Sequence, residues 1–164
     1  MRVRRLNAAD AEAFREIRLE GLRLDPDAFG SALSDHINRP LDHFRKRLTG
    51  SNVVGCFDGT RLMGIAAYNR EQGGNTRHRA MITSVYVRPE ARGQGRMTAI
   101  LAELEAIGRR DGVLQLELHV ALDNAAGIAA YERAGYERHG VSPRAILSGG
   151  RFIDEVLMVR RLDH

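Results

Sequence analysis

Cysteine, tryptophan and long apolar runs are scarce or absent in this chain of 164 residues. Cys56 is the single cysteine, which excludes an internal disulfide and is expected to pack as a small core hydrophobe. No window holds about 18 apolar residues in a row, so the sequence predicts no membrane-spanning helix and no membrane partner. The first residues lack the apolar core of a secretory signal, and we expect a cytoplasmic protein.

Features that support nucleic-acid or metal binding are also scarce. Aromatic residues make up 5% of the chain, and no block of lysine or arginine stands out, so few platforms exist for stacking bases. We therefore expect no nucleic-acid partner. The six histidines show no ligand spacing with Asp, Glu or Cys, so no metal site is predicted. The net charge of +4 is mild and is compatible with an anionic small ligand.

The chain has the length and composition of one globular domain. Hydrophobic residues make up 43% and charged residues 28%. The pattern predicts a strand, two helices, three strands, a helix, a strand, a helix and at least two final strands, with 25–38 irregular and separate strands near 136–140, 144–148 and 152–161. This order predicts a mixed sheet with helices on both faces.

The segment from Val85 to Met97 joins a buried strand, a proline stop and a glycine loop to a long helix. Pro89 ends the strand because it lacks an N–H. Gly93 and Gly95 let the main chain approach a ligand closely. N–H groups at such a helix start point to one spot, which predicts a phosphate or pyrophosphate site. A turn without a ligand is the alternative.

Two familiar phosphate motifs do not fit this loop. A Walker A loop would need Lys and then Ser or Thr where the chain has Arg96 and Met97, and a dinucleotide loop would need glycine in place of Thr98. The remaining pattern, Arg92-x-x-Gly95-x-Met97, resembles the acetyl-CoA loop of the GCN5-related N-acetyltransferase (GNAT) superfamily, Arg/Gln-x-x-Gly-x-Gly/Ala. Met97 departs from it, and its side chain would either crowd the phosphate arm or face the core.

A second segment strengthens the resemblance. Residues 114–120 alternate strictly between apolar and polar, which predicts a strand. A helix follows, with Asp123 or Asn124 as its N-cap. The helix resembles the second family signature, Asn-x-x-Ala-x-x-x-Tyr-x-x-x-Gly-Tyr/Phe. Four positions match, and Gly127 stands at the alanine position: the matches are Asn124, Tyr131, Gly135 and Tyr136.

The resemblance covers nearly the whole chain and implies one acetyltransferase domain, 1–164. It implies a mixed, mostly antiparallel sheet of six to seven strands with about four helices on both faces. The strand before the glycine loop and the next strand should splay apart to admit the pantetheine arm. The implied reaction transfers an acetyl group from acetyl-CoA directly to a primary amine of a small molecule or a protein. A homodimer is a further expectation from the family.

The resemblance also implies the site. The residues expected to bind acetyl-CoA are Val85, Tyr86, Val87, Arg92, Gly93, Gln94, Gly95, Arg96, Met97, Thr98, Asn124 and Tyr131. Backbone N–H groups of 92–98 would hold the pyrophosphate, and the backbone of 85–87 would meet the pantetheine amides and the oxyanion. The two loop arginines would contact phosphate or be solvated, and Asn124 would contact the cofactor arm or cap its helix. Tyr131 matches the general acid that protonates the leaving thiolate, unless it is a core aromatic.

The general base and the acceptor stay open. The glutamate that many family members carry on the strand before the loop is absent from 80–87. Thr83 or Ser84 holding a water, His119, Glu117, Asp35 and His36 are the candidate bases. A cationic amine could be held by Asp25, Asp27, Asp35 or Glu155. The missing carboxylate and the unusual Met97 also leave a rival interpretation, a non-catalytic acyl-CoA-binding regulatory domain.

Overall fold

The computed structural model describes residues 1–50 and 52–163. Seven strands form one sheet in the order β1-β2-β3-β4-β5-β7-β6. Every neighbouring pair is antiparallel except β4 and β5, which run parallel. The strands are β1 (Arg2–Arg5), β2 (Asn52–Asp58), β3 (Arg61–Arg70), β4 (Arg79–Val87), β5 (Gln115–Ala121), β6 (Glu137–Ser148) and β7 (Arg151–Arg161).

Five α-helices join these strands. They are α1 (Ala11–Leu24), α2 (Leu33–His36), α3 (Leu41–Gly50), α4 (Arg96–Arg110) and α5 (Ala125–Arg133). A capping box precedes α1: the Asn7 side chain accepts from the Ala9 N–H at 2.9 Å, and the Asp10 carboxylate accepts from the Asn7 N–H at 2.8 Å. Within the described residues, no helix is both long and apolar enough to cross a membrane.

Two hydrophobic clusters lie on opposite faces of the sheet. Apolar residues of α1 and α3, including Phe14, Ile17 and Phe44, pack with buried residues of β2, β3 and β4. On the other face α4 and α5 pack over Leu116, Leu118 and other residues of the central strands. The helical spacing on α4 explains its buried stripe of Ile100, Leu101, Leu104 and Ile107.

The mixed, mostly antiparallel sheet with helices on both faces confirms the predicted fold class. Two local predictions were wrong. The segment 25–38 contains the single-turn helix α2 besides irregular chain, and the strands expected at 136–140 and 144–148 are one strand, β6. Its register shifts between Ser142 and Ile146, where Arg144 has φ +50°. A bulge of this kind interrupts the alternating pattern and so imitates a turn in the sequence. Cys56 is buried in the core, as expected.

Candidate functional site

A fork in the sheet marks the candidate site. Strands β4 and β5 pair over only three positions, from Arg79 with Gln115 to Met81 with Glu117. Beyond Met81 the two strands have no register between them, although both continue. Main-chain groups on the facing edges are therefore left for a ligand. The splaying implied by the family resemblance is observed.

The opposite edge of β4 carries a bulge at the same level. Ala67 pairs with Thr83 and Ile65 pairs with Tyr86, so Ser84 and Val85 together oppose one residue of β3. Ser84 has φ +55°, a left-handed conformation that costs a residue with a side chain about 1–3 kcal/mol. A bulge leaves main-chain groups outside the ladder and redirects them. Such groups beside the fork are suited to meet the amides of an extended ligand.

The main-chain groups expected to bind the cofactor at 85–87 differ in their surroundings. Val85 belongs to the bulge and is half-buried against the core, whereas Tyr86 and Val87 are buried and paired with β3. The Val87 carbonyl already accepts a hydrogen bond from Arg92 Nε at 2.9 Å. Of the three positions, Val85 in the bulge therefore has the main-chain groups that are most available to a ligand.

The glycine loop forms a cradle of free N–H groups before α4. Gly93 and Gly95 have φ values of +73° and +81°, which turn successive N–H groups to one side. The first bond of the helix is donated by the Ala99 N–H to the Gly95 carbonyl at 3.1 Å. Among the described residues, none accepts a hydrogen bond from the N–H groups of 93–98. Six donors and a helix N-terminus make this segment fit a pyrophosphate.

The two loop arginines both have partners, but Arg96 is buried whereas Arg92 is exposed. Arg96 is 8% exposed; its Nη1 donates to the Ala91 carbonyl at 3.0 Å and its Nη2 pairs with Asp58. Arg92 Nη2 donates to Asp25 at 2.9 Å. Both guanidinium groups therefore tie the loop to neighbouring elements, and the cradle is built from main chain.

The other loop side chains leave the cradle open. The Gln94 amide oxygen accepts from Arg96 Nη1 at 2.5 Å. The Met97 side chain packs against the core, which decides between the two placements that the sequence allowed. Thr98 is exposed beside the free N–H groups. The departure of Met97 from the family pattern therefore has a packing explanation.

Tyr131 on α5 lies in the core cluster, with its ring edge-to-face against Tyr136 at a centroid distance of 5.8 Å. Burial raises the pKa of the Tyr131 phenol above its usual range, so the phenol stays protonated at neutral pH. No described residue hydrogen-bonds its hydroxyl. The hydroxyl is thus an uncommitted proton donor on a well-packed ring.

Asn124 caps α5. Its Oδ1 accepts from the Gly127 N–H at 3.0 Å, which leaves the Nδ2 donors without a partner among the described residues. A Cβ at position 127 would lie 2.5 Å from Asn124 Nδ2. Glycine at the family's alanine position therefore makes room for this cap. Capping and cofactor contact use different atoms, so the two roles offered by the sequence are compatible.

Most of the candidate bases and amine-holding carboxylates already form hydrogen bonds or ion pairs with other residues of the protein. Glu117 is buried and bidentate with Arg79 at 2.5 and 3.0 Å, and this hydrogen bonding lowers its pKa. Thr83 Oγ1 accepts from Asn69 Nδ2 at 2.9 Å. His119 is exposed on β5. A carboxylate held in an ion pair makes a poor base, because its lowered pKa means that it binds a proton only weakly.

Three of the four predicted amine-holding carboxylates have partners. Asp25 pairs with Arg92, Asp27 pairs with Arg151 at 2.5 Å, and the Asp35 carboxylate accepts from the Ala32 N–H at 2.8 Å. Glu155 on β7 is different: it is half-buried, and burial raises its pKa while nearby His119 lowers it. Of the predicted set, Glu155 has the character of a base.

Sequence reasoning missed the side chains that join α1 to this site. Arg88 is buried and donates from Nη1 to Glu20 at 2.6 Å and from Nε to the Leu62 carbonyl at 2.8 Å. The Tyr86 hydroxyl donates to the same Glu20 at 2.9 Å. Residues so far apart in sequence leave no local signal. A weak signal existed for Arg18, a charge inside the apolar stripe of α1 between Phe14 and Leu22.

Comparison with known proteins agrees with this geometry. Residues 12–136 match the model of the acetyltransferase (GNAT) family. The chain is 26% identical, over 96% of both chains, to the L-amino acid N-acetyltransferase AaaT of Escherichia coli. A ribosomal-protein-alanine N-acetyltransferase from Brucella melitensis superposes with a TM-score of 0.86 at 25% identity, covering 99% of this chain and 100% of that one.

A further solved structure contains the cofactor. The yncA protein of Salmonella typhimurium, solved with acetyl-CoA, superposes with a TM-score of 0.84 at 26% identity, covering 100% of this chain and 95% of that one. Acetyl-CoA is the cosubstrate of this family. The match over most of the chain favours catalysis over a purely regulatory role. The chain belongs to the GNAT family of acetyltransferases, enzymes that transfer an acetyl group from acetyl-CoA to an amine.

Proposed function

We propose that this enzyme acetylates the α-amino group of a free amino acid or a closely related small molecule. The observation that carries the proposal is a small cavity, closed at one end by ion pairs, on the side where the acceptor would bind. A cavity of about 470 Å³ lies between the chain after α1 and the end of β6, within the range of small-molecule sites. Leu22, Phe29 and Ile146 contribute apolar walls.

Ion pairs between the β6–β7 hairpin and neighbouring segments limit the length of the acceptor. Arg151, at the start of β7, pairs with Asp27 at 2.5 Å and with Asp123 at 3.5 Å. The tip of the β6–β7 hairpin is thereby held against the segment that follows α1. This contact restricts the groove that a protein terminus would need, and it favours a compact acceptor. The full-length likeness to an L-amino acid N-acetyltransferase supports the same acceptor class.

The cofactor contacts follow from the free main-chain groups. We infer that the N–H groups of 93–98 hold the pyrophosphate and that the bulge at Ser84 and Val85 meets the pantetheine arm and the acetyl carbonyl. One well-placed oxyanion donor lowers the barrier by about 3 kcal/mol. Asn124 Nδ2 donates to the cofactor arm, and the protonated Tyr131 hydroxyl donates to the departing thiolate.

Deprotonation of the amine is assigned to Glu155 with His119. Ala121 pairs with Glu155 and His119 pairs with Leu157, so the two side chains share one face on adjacent strands. A carboxylate with a raised pKa accepts a proton more readily near neutral pH. We propose that Glu155 is the base and that His119 passes the proton to solvent.

A thiol-release assay tests the acceptor class. The purified enzyme is mixed with acetyl-CoA and, separately, with each common L-amino acid, a hexapeptide beginning with alanine, and spermidine. We expect turnover with a subset of the amino acids, and mass spectrometry should find the product acetylated at the α-amino nitrogen. Turnover with the peptide alone would replace the proposal with acetylation of protein N-termini.

The assembly and location of the enzyme are also proposals. Strand β6 lies at the edge of the sheet, and three apolar side chains of the β6–β7 hairpin are more than half exposed, two on β6 and one on β7: Val141, Leu147 and Phe152. We propose that residues 1–164 form one domain, that two copies pair through this edge, and that the enzyme works in the cytoplasm. Light scattering after size exclusion should give twice the monomer mass for the wild type. For Phe152→Asp it should give the mass of a single monomer.

A further inference from the structure

Arg18 on α1 is a buried cation without an anionic partner. Its side chain is 8% exposed, and its guanidinium lies 4.9 Å from the centre of the Phe29 ring. Among residues 1–50 and 52–163, no carboxylate or carbonyl accepts a hydrogen bond from it. A buried charge that lacks a partner is costly, by several kcal/mol. A fold retains such a group where another molecule supplies the missing anion.

The other buried charges of the described chain are all compensated. Arg88 pairs with Glu20, Arg96 with Asp58, and Glu117 with Arg79. Arg18 therefore departs from the rule that this protein itself follows. The Arg18 nitrogens are not fully enclosed. Each of them keeps some access to open space.

Further positive groups surround Arg18. Burial, and then the charge of Arg47, lower the pKa of Arg18 to about 10, which leaves it charged at neutral pH. Burial, followed by Arg18 and His43, lowers the pKa of His36, and the buried His36 Nδ1 has no hydrogen-bond partner among the described residues. The Asp35 carboxylate, which lies near His36, accepts a hydrogen bond from the Ala32 N–H at 2.8 Å and so caps α2. The surroundings of Arg18 are therefore basic, and no described carboxylate pairs with Arg18 itself.

A cavity with basic walls lies beside α3 and β3. It measures about 470 Å³ and is lined by His43, Lys46, Arg47, Gly50 and Asn69. Asn69 donates to Thr83 on β4 at 2.9 Å, and Thr83 directly precedes the bulge. Phe29, whose ring lies beside the Arg18 guanidinium, lines the cavity assigned to the acceptor, so a negative group of an acceptor bound there would lie close to Arg18.

We propose that Arg18 binds a carboxylate of the acceptor, so that the substrates are amino compounds that carry a free carboxyl group. The inference rests on the proposed acetylation of small amines and names the feature that the enzyme recognises. A guanidinium binds a carboxylate through two parallel hydrogen bonds, an arrangement that an ammonium cannot reproduce. The neighbouring Arg47 adds positive charge.

The first test compares an accepted L-amino acid with its carboxamide. In the wild type the carboxamide should have the higher KM. Arg18→Met should raise the KM of the amino acid by about tenfold or more, and it should leave the KM of acetyl-CoA and of the carboxamide unchanged. Arg18→Lys should recover part of the loss. Arg15→Met is the matched control, because Arg15 lies on the same helix over the Phe44 ring, at 6.0 Å.

Stability separates binding from a structural role. Removing an uncompensated buried charge should keep or raise the melting temperature of Arg18→Met, whereas a structural arginine would lower it. A lowered melting temperature, a raised KM for acetyl-CoA, or equal effects on amino acid and carboxamide would each overturn the proposal.

A non-reactive probe distinguishes this inference from the proposed function. L-lactate carries the carboxylate and lacks the amine. It should raise the melting temperature of the wild type and not that of Arg18→Met, even if no amino acid is acetylated. Sulfate at the same ionic strength should have a smaller effect; equal protection by both would indicate a general anion site and overturn the carboxylate assignment.

Discussion

The Glu20 carboxylate lies 2.6 Å from Arg88 Nη1 and 2.9 Å from the Tyr86 hydroxyl, so one side chain of α1 holds both ends of the turn out of β4. Arg88 is 4% exposed and Glu20 is 18% exposed. The ion pair fixes the direction in which the chain leaves the bulge for the cradle. It therefore lies outside the cradle and holds the chain that leads into it.

Loss of this pair should cost stability. Arg88→Met leaves the Leu62 carbonyl without its donor and Glu20 with only the Tyr86 hydroxyl, and we expect the free energy of unfolding to fall by about 3 kcal/mol in urea denaturation. Arg61→Met removes an exposed pair with Glu90 and should change it by no more than about 0.5 kcal/mol. Equal effects of the two substitutions would show that burial of the Arg88 pair is unimportant.

The glycine torsions should control cofactor binding. Gly95→Ala forces a Cβ into φ +81° and should destabilise the fold by about 1–2 kcal/mol. Gly95→Asp adds a negative charge at the cradle and should abolish acetyl-CoA binding in calorimetric titration. Gly74→Asp, in an exposed loop with nothing within 4 Å, is the control and should bind normally. Retained binding by Gly95→Asp would remove the cradle from the site.

Two neighbouring tyrosines separate chemistry from packing. Tyr131→Phe should lower kcat by about 100-fold or more, with little change in the KM of acetyl-CoA, because the ring stays and only the proton donor is lost. Tyr136→Phe removes a buried hydroxyl that has no partner among the described residues, and kcat should be unchanged. Similar kcat values for Tyr131→Phe and the wild type would exclude the acid role.

Gly127 makes room for the Asn124 cap, so the effect of Gly127→Ala on stability should depend on the residue at position 124. Asn124→Ala should cost about 1 kcal/mol through loss of the helix cap. Gly127→Ala displaces that cap but gains up to about 1 kcal/mol of helix propensity, so its net effect should be small. In the Asn124→Ala background the same substitution should be plainly stabilising. A double-mutant cycle from urea denaturation measures this; additive effects would mean that the two residues do not interact.

Glu155 gives a prediction about pH. Burial raises its pKa in the folded state, so the folded protein holds this proton more tightly than the unfolded chain. Its contribution to stability is full below the unfolded pKa and is lost as pH rises through the folded pKa. Glu155→Gln should therefore stabilise the protein at pH 7.5 relative to the wild type and have little effect at about pH 4.

The same variant should lose acetylation activity and the acidic limb of the rate profile. Glu137→Gln, an exposed carboxylate on β6, should change neither property. A wild-type pH–rate profile in Glu155→Gln would transfer the base role to His119.

Sequence patterns predicted the fold and the main-chain part of the site because those depend on local features. Gly95 before a stripe of helical spacing identified the start of α4, and the signature around Tyr131 identified α5. The ion pairs were not predictable: Arg92 and Asp25 are 67 positions apart, and Arg88 and Glu20 are 68 apart. Their meeting depends on how α1 packs on the sheet, which periodicity does not specify.

The unpaired state of Arg18 could not be predicted for the same reason. Its place between Phe14 and Leu22 marked a charge in an apolar stripe, but buried and partnered arginines give the same pattern. Arg88 and Arg96 are examples in this chain. Whether a partner exists is known only when every element packed around the side chain is in place.

The cradle at 93–98 has a consequence for how this enzyme can evolve. Its donors are peptide groups, and the arginines beside it are already neutralised by Asp25 and Asp58. Side chains in the loop can therefore change by mutation without loss of these main-chain donors, provided that the torsions at Gly93 and Gly95 are kept. Met97, whose side chain packs against the core, is one such departure from the family pattern.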